Sequence, residues 1–158
     1  MYGLVSYRQL TDTVKAVCDV LGHGSNNNAV SLLMETAKAE THLGKTRDTT
    51  KYAGMGITQF DKIGFDDVLA RVSFSDVAII REKMGIELSW VKWEDLRYNI
   101  LLAFLFTRLK YKKIPEAIPT TMEARAIYWK QHYNSYAKNA KGTVGHYLEA
   151  NKIGLRKS

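Results

Sequence analysis

The chain has 158 residues, of which 46% are hydrophobic and 25% are charged, values that are ordinary for a single globular domain with a real core. Only two prolines occur, which excludes a Pro-rich linker, and the chain contains neither an internal repeat nor a low-complexity tract. The formal charge of +7 favours a polyanionic partner, such as nucleic acid, anionic lipid or an anionic cell envelope.

The first residues and the most apolar run bear on where the protein is made. The N-terminal MYGLVSYRQLTD lacks the basic start and long apolar stretch of a secretory signal. The run ILLAFLF at 100–106 is too short to span a bilayer. We therefore expect synthesis in a cytoplasm. The single cysteine, Cys18, continues an apolar helical stripe, so we expect it to fill the core.

Helical signals dominate the first part of the chain. Ser6 followed by Gln9 is a capping box, and it predicts a helix that ends near residue 21. A second helix is predicted over 28–43, after the loop GHGSNNN. Residues 44–60 lack a helical period and are rich in glycine and threonine, so we expect a loop there, with room for a short β-hairpin.

Helices are also predicted in the rest of the chain, over 61–70, 75–84, 94–111, 121–137 and 143–151. Ser75 can cap the second of these and Gly85 can end it. The segment 94–111 is hydrophobic nearly all round, so we place it at the centre of the fold. The sequence therefore predicts a mainly α single domain over 1–158, with one excursion at about 44–60.

Glu40 stands out in the second helix because of the face on which it lies. At about 100° per residue, Glu40 falls about 20° from Leu33, inside the apolar stripe. Glu35 falls at about 200°, on the opposite face, which we expect to be solvated. A glutamate on a core stripe must find a partner or stay protonated, and a protonated glutamate is what a general acid needs. The alternative is a side chain that swings into water or pairs with Lys45 or Arg47.

The segment AGMGITQF at 53–60 follows that helix and carries features of a binding loop. Gly54 and Gly56 permit unusual backbone angles and the close approach of a ligand. Gln59 offers a donor and an acceptor, which suit a sugar hydroxyl or an N-acetyl group. The apolar side chains that could exclude water from the acid are Met55, Ile57 and Phe60. A glutamate on a stripe followed by such a loop favours a sugar-cleaving site.

These residues resemble the lysozyme superfamily in its goose-type lysozyme and soluble lytic transglycosylase branches. Glu40-Thr41 occurs where the family has Glu-Ser, and GMGITQ at 54–59 occurs where the family has Gly-x-Gly-Leu-Met-Gln. ETHLGK at 40–45 and QFDK at 59–62 are similar to goose-type Glu-Ser-His-x-Gly-Lys and Gln-Val-Asp-Lys.

Two later segments also resemble the transglycosylase pattern, so that the match covers about residues 28–150. RYNILLAFLFTRL at 97–109 resembles the family's Asn-Ile-x-x-Gly-x-x-Tyr-Leu helix, with Asn99-Ile100 in place, although Ala103 replaces the usual glycine. Tyr133-Asn134 matches the start of Tyr-Asn-Ala-Gly, although Ser135 follows. These departures bear on the sugar subsites more than on the acid.

The resemblance implies a lysozyme-like (α+β) fold and cleavage of the peptidoglycan bond between N-acetylmuramic acid and N-acetylglucosamine. Glu40 would act as general acid and then as base, and the muramyl 6-hydroxyl would close to an anhydro sugar. The alternative is goose-type hydrolysis, in which a second carboxylate, Asp61 or Asp48, activates water from about 6.5–9.5 Å away. Asp61 could equally cap the next helix.

The same resemblance implies the remaining residues and partners. The residues that would bind the glycan strand are Gly54, Met55, Gly56, Gln59, Asn99 and Tyr133, with the Tyr133 hydroxyl orienting the acid or the sugar or simply packing. We expect no metal, no cofactor, no nucleic acid and a monomer. A phage endolysin or virion-associated lysin fits: it is made in the host cytoplasm, reaches the periplasm or cell wall through a holin or on the virion, and adsorbs to the anionic bacterial envelope.

Two other classes of protein compete with this interpretation. A basic helical nucleic-acid binder would suit the charge and the aromatic residues but would leave Glu40 and the glycine loop unexplained. A virion or scaffold protein without activity is the other. The basic cluster Lys110, Lys112 and Lys113 is expected to be a solvated face.

The histidines and tryptophans give weaker signals. The four histidines, His23, His42, His132 and His146, have no metal-ligand spacing, and His42 is expected on the surface. The three tryptophans, Trp90, Trp93 and Trp129, are expected in the core unless one stacks on a sugar.

Overall fold

The computed structural model describes residues 6–41, 54–134 and 143–156, with side chains to residue 152. Its architecture is mainly helical. The α-helices are α1 (Tyr7–Leu21), α2 (Ala29–Thr41), α3 (Lys62–Arg71), α4 (Phe74–Met84), α5 (Ile100–Lys112), α6 (Met122–His132) and α7 (Val144–Arg156). Short 3₁₀ turns cover Ser25–Asn27, Leu88–Trp90 and Trp93–Arg97. Residues 54–60 form turns without a strand; the rest of the predicted excursion, 44–53, lies outside the described residues.

Helix α1 follows its local signals. Ser6 and Gln9 form the predicted capping box, with the Gln9 amide donating to Ser6 Oγ over 3.2 Å and the Ser6 amide donating to Gln9 Oε1 over 2.9 Å. The helix ends before Gly22, which adopts a φ of 101°. Cys18 is fully buried, and burial raises the pKa of its thiol to about 11, which keeps it protonated near neutral pH. Its prediction as a core residue is confirmed.

Helix α5 occupies the centre, as predicted, but begins later than residue 94. The Asn99 side chain accepts the Leu102 amide over 3.1 Å and so caps a helix that starts at Ile100. The residues before it form the separate Trp93–Arg97 turn. Ten of the 13 residues of α5 are buried, and the helix contacts α1, α2 and α3. Within the described ranges, no helix is long and apolar enough to cross a membrane.

Three other helix boundaries differ from the predicted ones. Ser73 rather than Ser75 caps α4 by accepting the Asp76 amide over 3.1 Å, whereas the predicted end at Gly85 (φ 66°) is confirmed. Helix α6 ends at His132, five residues early, where the Asn134 amide donates to the Trp129 carbonyl over 3.0 Å in place of a regular helical bond. Helix α7 continues to Arg156 rather than ending at residue 151.

The prediction that Glu35 faces solvent is wrong. Helix α7 packs on α2 in addition to α1 and α5, so more of the surface of α2 is covered than its own pattern indicates. Glu35 is buried and accepts two bonds from Arg125, from Nε over 2.7 Å and from Nη2 over 2.8 Å. The Tyr147 hydroxyl donates to the same carboxylate over 2.7 Å. The Glu35–Arg125–Tyr147 cluster therefore ties α2, α6 and α7 together.

Candidate functional site around Glu40

Glu40 lies in the last turn of α2 and is half-buried. Its Oε2 accepts the indole Nε1–H of Trp129 over 3.0 Å and an amide N–H of Asn134 over 3.3 Å. Trp129 is fully buried, and Lys130 Nζ holds the Asn134 side chain from the other side over 3.0 Å. The carboxyl group is therefore held in one position while it keeps some contact with solvent, rather than being enclosed in the core as its stripe position predicted.

The segment 54–60 lies beside Glu40 and is fastened to the core. Thr41, the residue after Glu40, donates its hydroxyl to the Ile57 carbonyl over 2.6 Å. The Tyr133 hydroxyl donates to the Thr58 carbonyl over 2.6 Å. Met55, Ile57 and Phe60 are buried, as expected for residues that exclude water. We call this segment the wall, and it is bonded both to the residue that follows Glu40 and to Tyr133.

Backbone packing explains the glycine at position 56. Gly56 has a φ of +78°, and a Cβ there would lie 2.1 Å from the Leu96 carbonyl oxygen. A Cβ on Gly54 would lie 2.7 Å from Gln59 Oε1, and Gln59 Nε2 donates to the Gly56 carbonyl over 2.9 Å. Three of the residues predicted to bind sugar therefore contact one another and shape the turn.

Lys110 belongs to this site, although the sequence pattern assigned it to a solvated basic face. Its Nζ lies 4.7 Å from the centroid of the Tyr133 ring and 5.6 Å from that of Phe60. Burial lowers the pKa of Lys110, and the negative charges of Asp61 and Glu40 oppose that shift. Both carboxylates are therefore close enough to Lys110 to act on it. The sequence did contain a signal for this location, because Lys110 lies four residues after Phe106 on a helix that is buried nearly all round.

Two predicted site residues serve as helix caps. Asp61, which is half-buried, accepts the Gly64 amide on Oδ1 and caps α3, the alternative considered above. Asn99 caps α5 and is exposed. Asp48 and His42 lie outside the described residues.

Tyr133 acts through packing and through its bond to the loop. Its ring stacks on Tyr111 with centroids 5.3 Å apart, and burial raises the pKa of the Tyr133 phenol well above its ordinary value. The hydroxyl is engaged by the Thr58 carbonyl. Tyr133 therefore positions the wall beside Glu40.

The tryptophans and histidines divide between core and surface. Trp93 and Trp129 are buried, as predicted, but Trp90 is 81% exposed. His146 Nε2 lies 2.6 Å from the Ala39 carbonyl oxygen, and His23 Nε2 lies 2.7 Å from Asp19 Oδ1. Over the described parts of the chain, no group of three His, Cys, Asp or Glu side chains is arranged to hold a metal ion.

Chemically, the arrangement offers a fixed and partly accessible carboxyl group, two N–H donors that stabilise its charged form, and a nearby cation. Such a group can donate a proton to a bound molecule or accept a proton from it. No protein-family model, curated protein or solved structure matches the chain.

Proposed function

We propose that this chain is a peptidoglycan-cleaving glycosidase with a lysozyme-like fold, acting as a lytic transglycosylase with Glu40 as general acid and base. The observation that carries the proposal is the setting of Glu40. Glu40 is half-buried at a helix end, and Trp129 and Asn134 hold its carboxyl group. Thr41 and Tyr133, both in segments that resemble the family, fasten that wall.

In the first step, protonated Glu40 gives its proton to the glycosidic oxygen as the bond from that oxygen to the muramyl C1 breaks. The N–H groups of Trp129 and Asn134 and the charge of Lys110 stabilise the carboxylate that forms. In the second step, this carboxylate takes the proton of the muramyl 6-hydroxyl, whose oxygen bonds to C1. The products are a 1,6-anhydro-muramyl end and a free hydroxyl on the leaving sugar, and Glu40 is protonated again.

The setting of Asp61 favours this mechanism over hydrolysis. Asp61 Oδ1 accepts the Gly64 amide as a helix cap and its charge faces Lys110, so that only Oδ2 remains to activate water. Asp48, the other candidate, lies outside the described residues. The proposed mechanism needs only one carboxylate. The proposed substrate is the glycan strand, which lies beyond the cytoplasmic membrane. A holin or a virion would therefore deliver the protein.

The decisive test is Glu40→Gln, which keeps the acceptor for Trp129 but cannot donate a carboxyl proton. We expect turbidity clearance of purified cell walls to fall at least about 100-fold, the usual contribution of a general acid, with an unchanged melting temperature. Glu94→Gln, at an exposed position, is the matched control and should clear walls like wild type. Full activity of a folded Glu40→Gln protein would remove the proposal.

Product analysis separates the two reaction types. Mass spectrometry of the digest should show anhydro-muramyl ends, whereas reducing ends would mean hydrolysis. Salt-sensitive duplex binding without any wall cleavage would instead support the nucleic-acid alternative.

A second pair of variants tests the positioning of Glu40. Trp129→Phe removes the indole donor from Glu40, whereas Trp93→Phe removes an equally buried indole donor that bonds the Phe60 carbonyl over 2.7 Å. Both changes should destabilise the fold by about 1–3 kcal/mol through the lost bond and the cavity. Only Trp129→Phe should also change the pH dependence of wall cleavage. Identical pH profiles for the two variants would contradict a special role for Trp129.

A further inference from the structure

A cavity of about 380 Å³ lies where the end of α3, the start of α4 and the end of α5 meet. Its lining residues are Arg71, Val72, Ser73, Ser75, Asp76, Leu109, Lys112 and Lys113. None of them belongs to the site around Glu40. We call it the α3–α4 cavity.

Positive charge predominates in the lining of this cavity. It contains three cations, Arg71, Lys112 and Lys113, and the carboxylate of Asp76. Lys112 Nζ lies 2.7 Å from Asp76 Oδ1, so that the carboxylate is already paired. Arg71 Nη1 is 3.4 Å from Asp67, an exposed contact that water weakens.

Lys113 is the cation without a local partner. Its Nζ atom is shielded from solvent, although the side chain as a whole is half-buried, and Nζ has no hydrogen-bond partner among the residues that the structure describes. Burial lowers the pKa of Lys113, and the positive charge of Arg71 lowers it further, against the opposing charges of Asp67 and Asp76. An ammonium group buried beside a guanidinium group is unfavourable unless an anion accompanies it.

The start of α4 adds donors to the same cavity. Helix α4 has 11 residues, and the N–H groups of its first turn have no acceptor within the helix. The cap bond of Ser73 uses one of them, that of Asp76. The Ser73 and Ser75 hydroxyls lie 3.1 Å apart at the cavity wall. A helix N-terminus beside cationic side chains is a favourable environment for a phosphate group.

We propose that the α3–α4 cavity binds a phosphate group, which Lys113 and Arg71 contact by charge-assisted hydrogen bonds and the first turn of α4 by its N–H groups. Phe74 indicates what carries the phosphate. This side chain is 95% exposed and stands between two residues of the lining, Ser73 and Ser75. An exposed aromatic ring beside a basic pocket suits an anionic lipid headgroup whose acyl region the ring can enter.

Titration with inorganic phosphate tests the site itself. Lys113→Met should weaken phosphate binding about tenfold, the effect of one charge-assisted hydrogen bond. Lys83→Met removes an exposed lysine of α4 outside the cavity. This control variant has the same net charge as Lys113→Met and should bind phosphate like wild type. Because Lys113→Met also removes an unpaired buried charge, its melting temperature in phosphate-free buffer should match or exceed that of wild type. Equal phosphate affinity in wild type and both variants would overturn the proposal.

Vesicles then distinguish a lipid headgroup from free phosphate. Wild type should sediment with phosphatidylglycerol vesicles and not with phosphatidylcholine vesicles. Phe74→Ser should lose this sedimentation but keep phosphate binding, whereas Ile63→Ser, at an exposed residue outside the cavity, should keep both. Phosphate binding without sedimentation of wild type would keep the site and overturn the role of Phe74. Glu40→Gln should behave as wild type in both assays, so the result is independent of glycan cleavage.

Discussion

Arg125→Met tests whether the Glu35–Arg125–Tyr147 cluster holds α2, α6 and α7 together. Both charged side chains of the pair are only 9% exposed. Two parallel bonds of 2.7 and 2.8 Å join the guanidinium and carboxylate groups, and the Tyr147 hydroxyl adds a third. Methionine has a similar length and a similar helix propensity, so the change removes mainly the charge.

The expected cost follows from the charge left behind. Without Arg125, the carboxylate of Glu35 would stay buried with the Tyr147 hydroxyl as a neutral donor, and breaking such a pair costs about 3–5 kcal/mol. One kcal/mol lowers the melting temperature of a chain of this size by roughly 2–4 °C. We therefore expect Arg125→Met to melt about 6–20 °C below wild type.

Urea and thermal unfolding followed by circular dichroism measure this loss. Arg81→Met removes an exposed arginine that lies 2.7 Å from Glu87, and its effect should be far smaller because water screens that pair. Adding Glu35→Gln to Arg125→Met removes the unpaired charge and should recover much of the lost stability. If Arg125→Met unfolded within about 1 kcal/mol of wild type, well below the cost of a broken buried pair, the carboxylate of Glu35 would have to be hydrated in solution, and the reasoning would fail.

Two further predictions concern the wall and the cation beside Glu40. Gly56→Ala should lower the free energy of unfolding by about 2–5 kcal/mol, because its Cβ would lie 2.1 Å from the Leu96 carbonyl oxygen at a positive φ. Gly85→Ala, whose Cβ meets nothing within 4 Å, should lower it by about 1–2 kcal/mol in the same unfolding assay. Equal losses in the two variants would mean that the close contact at Gly56 is relieved at no cost. Burial lowers the pKa of Lys110 below its ordinary 10.5, so at this group the unfolded chain binds more protons, and Lys110 alone contributes a rise in stability with pH up to that value. Lys110→Met should flatten this rise in urea unfolding curves at alkaline pH, and an unaltered slope would mean that Lys110 is hydrated.

Local sequence signals predicted the parts of the fold that local contacts determine. The capping box at Ser6, the stop at Gly85 and the burial of Cys18 each depend on residues within one or two turns. The start of α5 was missed because acidic residues before it resemble a first helical turn, whereas Asn99 provides the cap.

The environment of Glu35 could not be read from its own helix. A helical wheel shows which face is most apolar, and it cannot show that a second element will cover the polar face. Here the partners of Glu35 come from 90 residues away, in Arg125, and 112 residues away, in Tyr147. A buried ion pair satisfies the charge that the pattern assigned to water.

The residues of the candidate site also fall into those that the sequence could indicate and those that it could not. Glu40 and the glycines of the wall could be singled out because their residue types are unusual at those positions. Trp129 and Lys110 could not, since an indole or a lysine on a helix does not indicate which distant carboxylate it will meet. The polar residues expected to bind sugar, Gln59, Asn99 and Tyr133, hold the wall or cap a helix, and their contact with sugar stays a prediction.

The contacts around Glu40 favour one half of the proposed reaction over the other. Trp129, Asn134 and the charge of Lys110 stabilise a carboxylate, which suits the base of the second step and opposes the acid of the first. A glycan strand bound over the half-exposed side would remove water from the carboxyl group, and loss of water disfavours its charged form. Substrate binding and departure of the leaving sugar would therefore change the hydration of the carboxyl group between the two steps. In this scheme one carboxylate performs both roles because its solvation changes during the reaction while its protein contacts stay fixed.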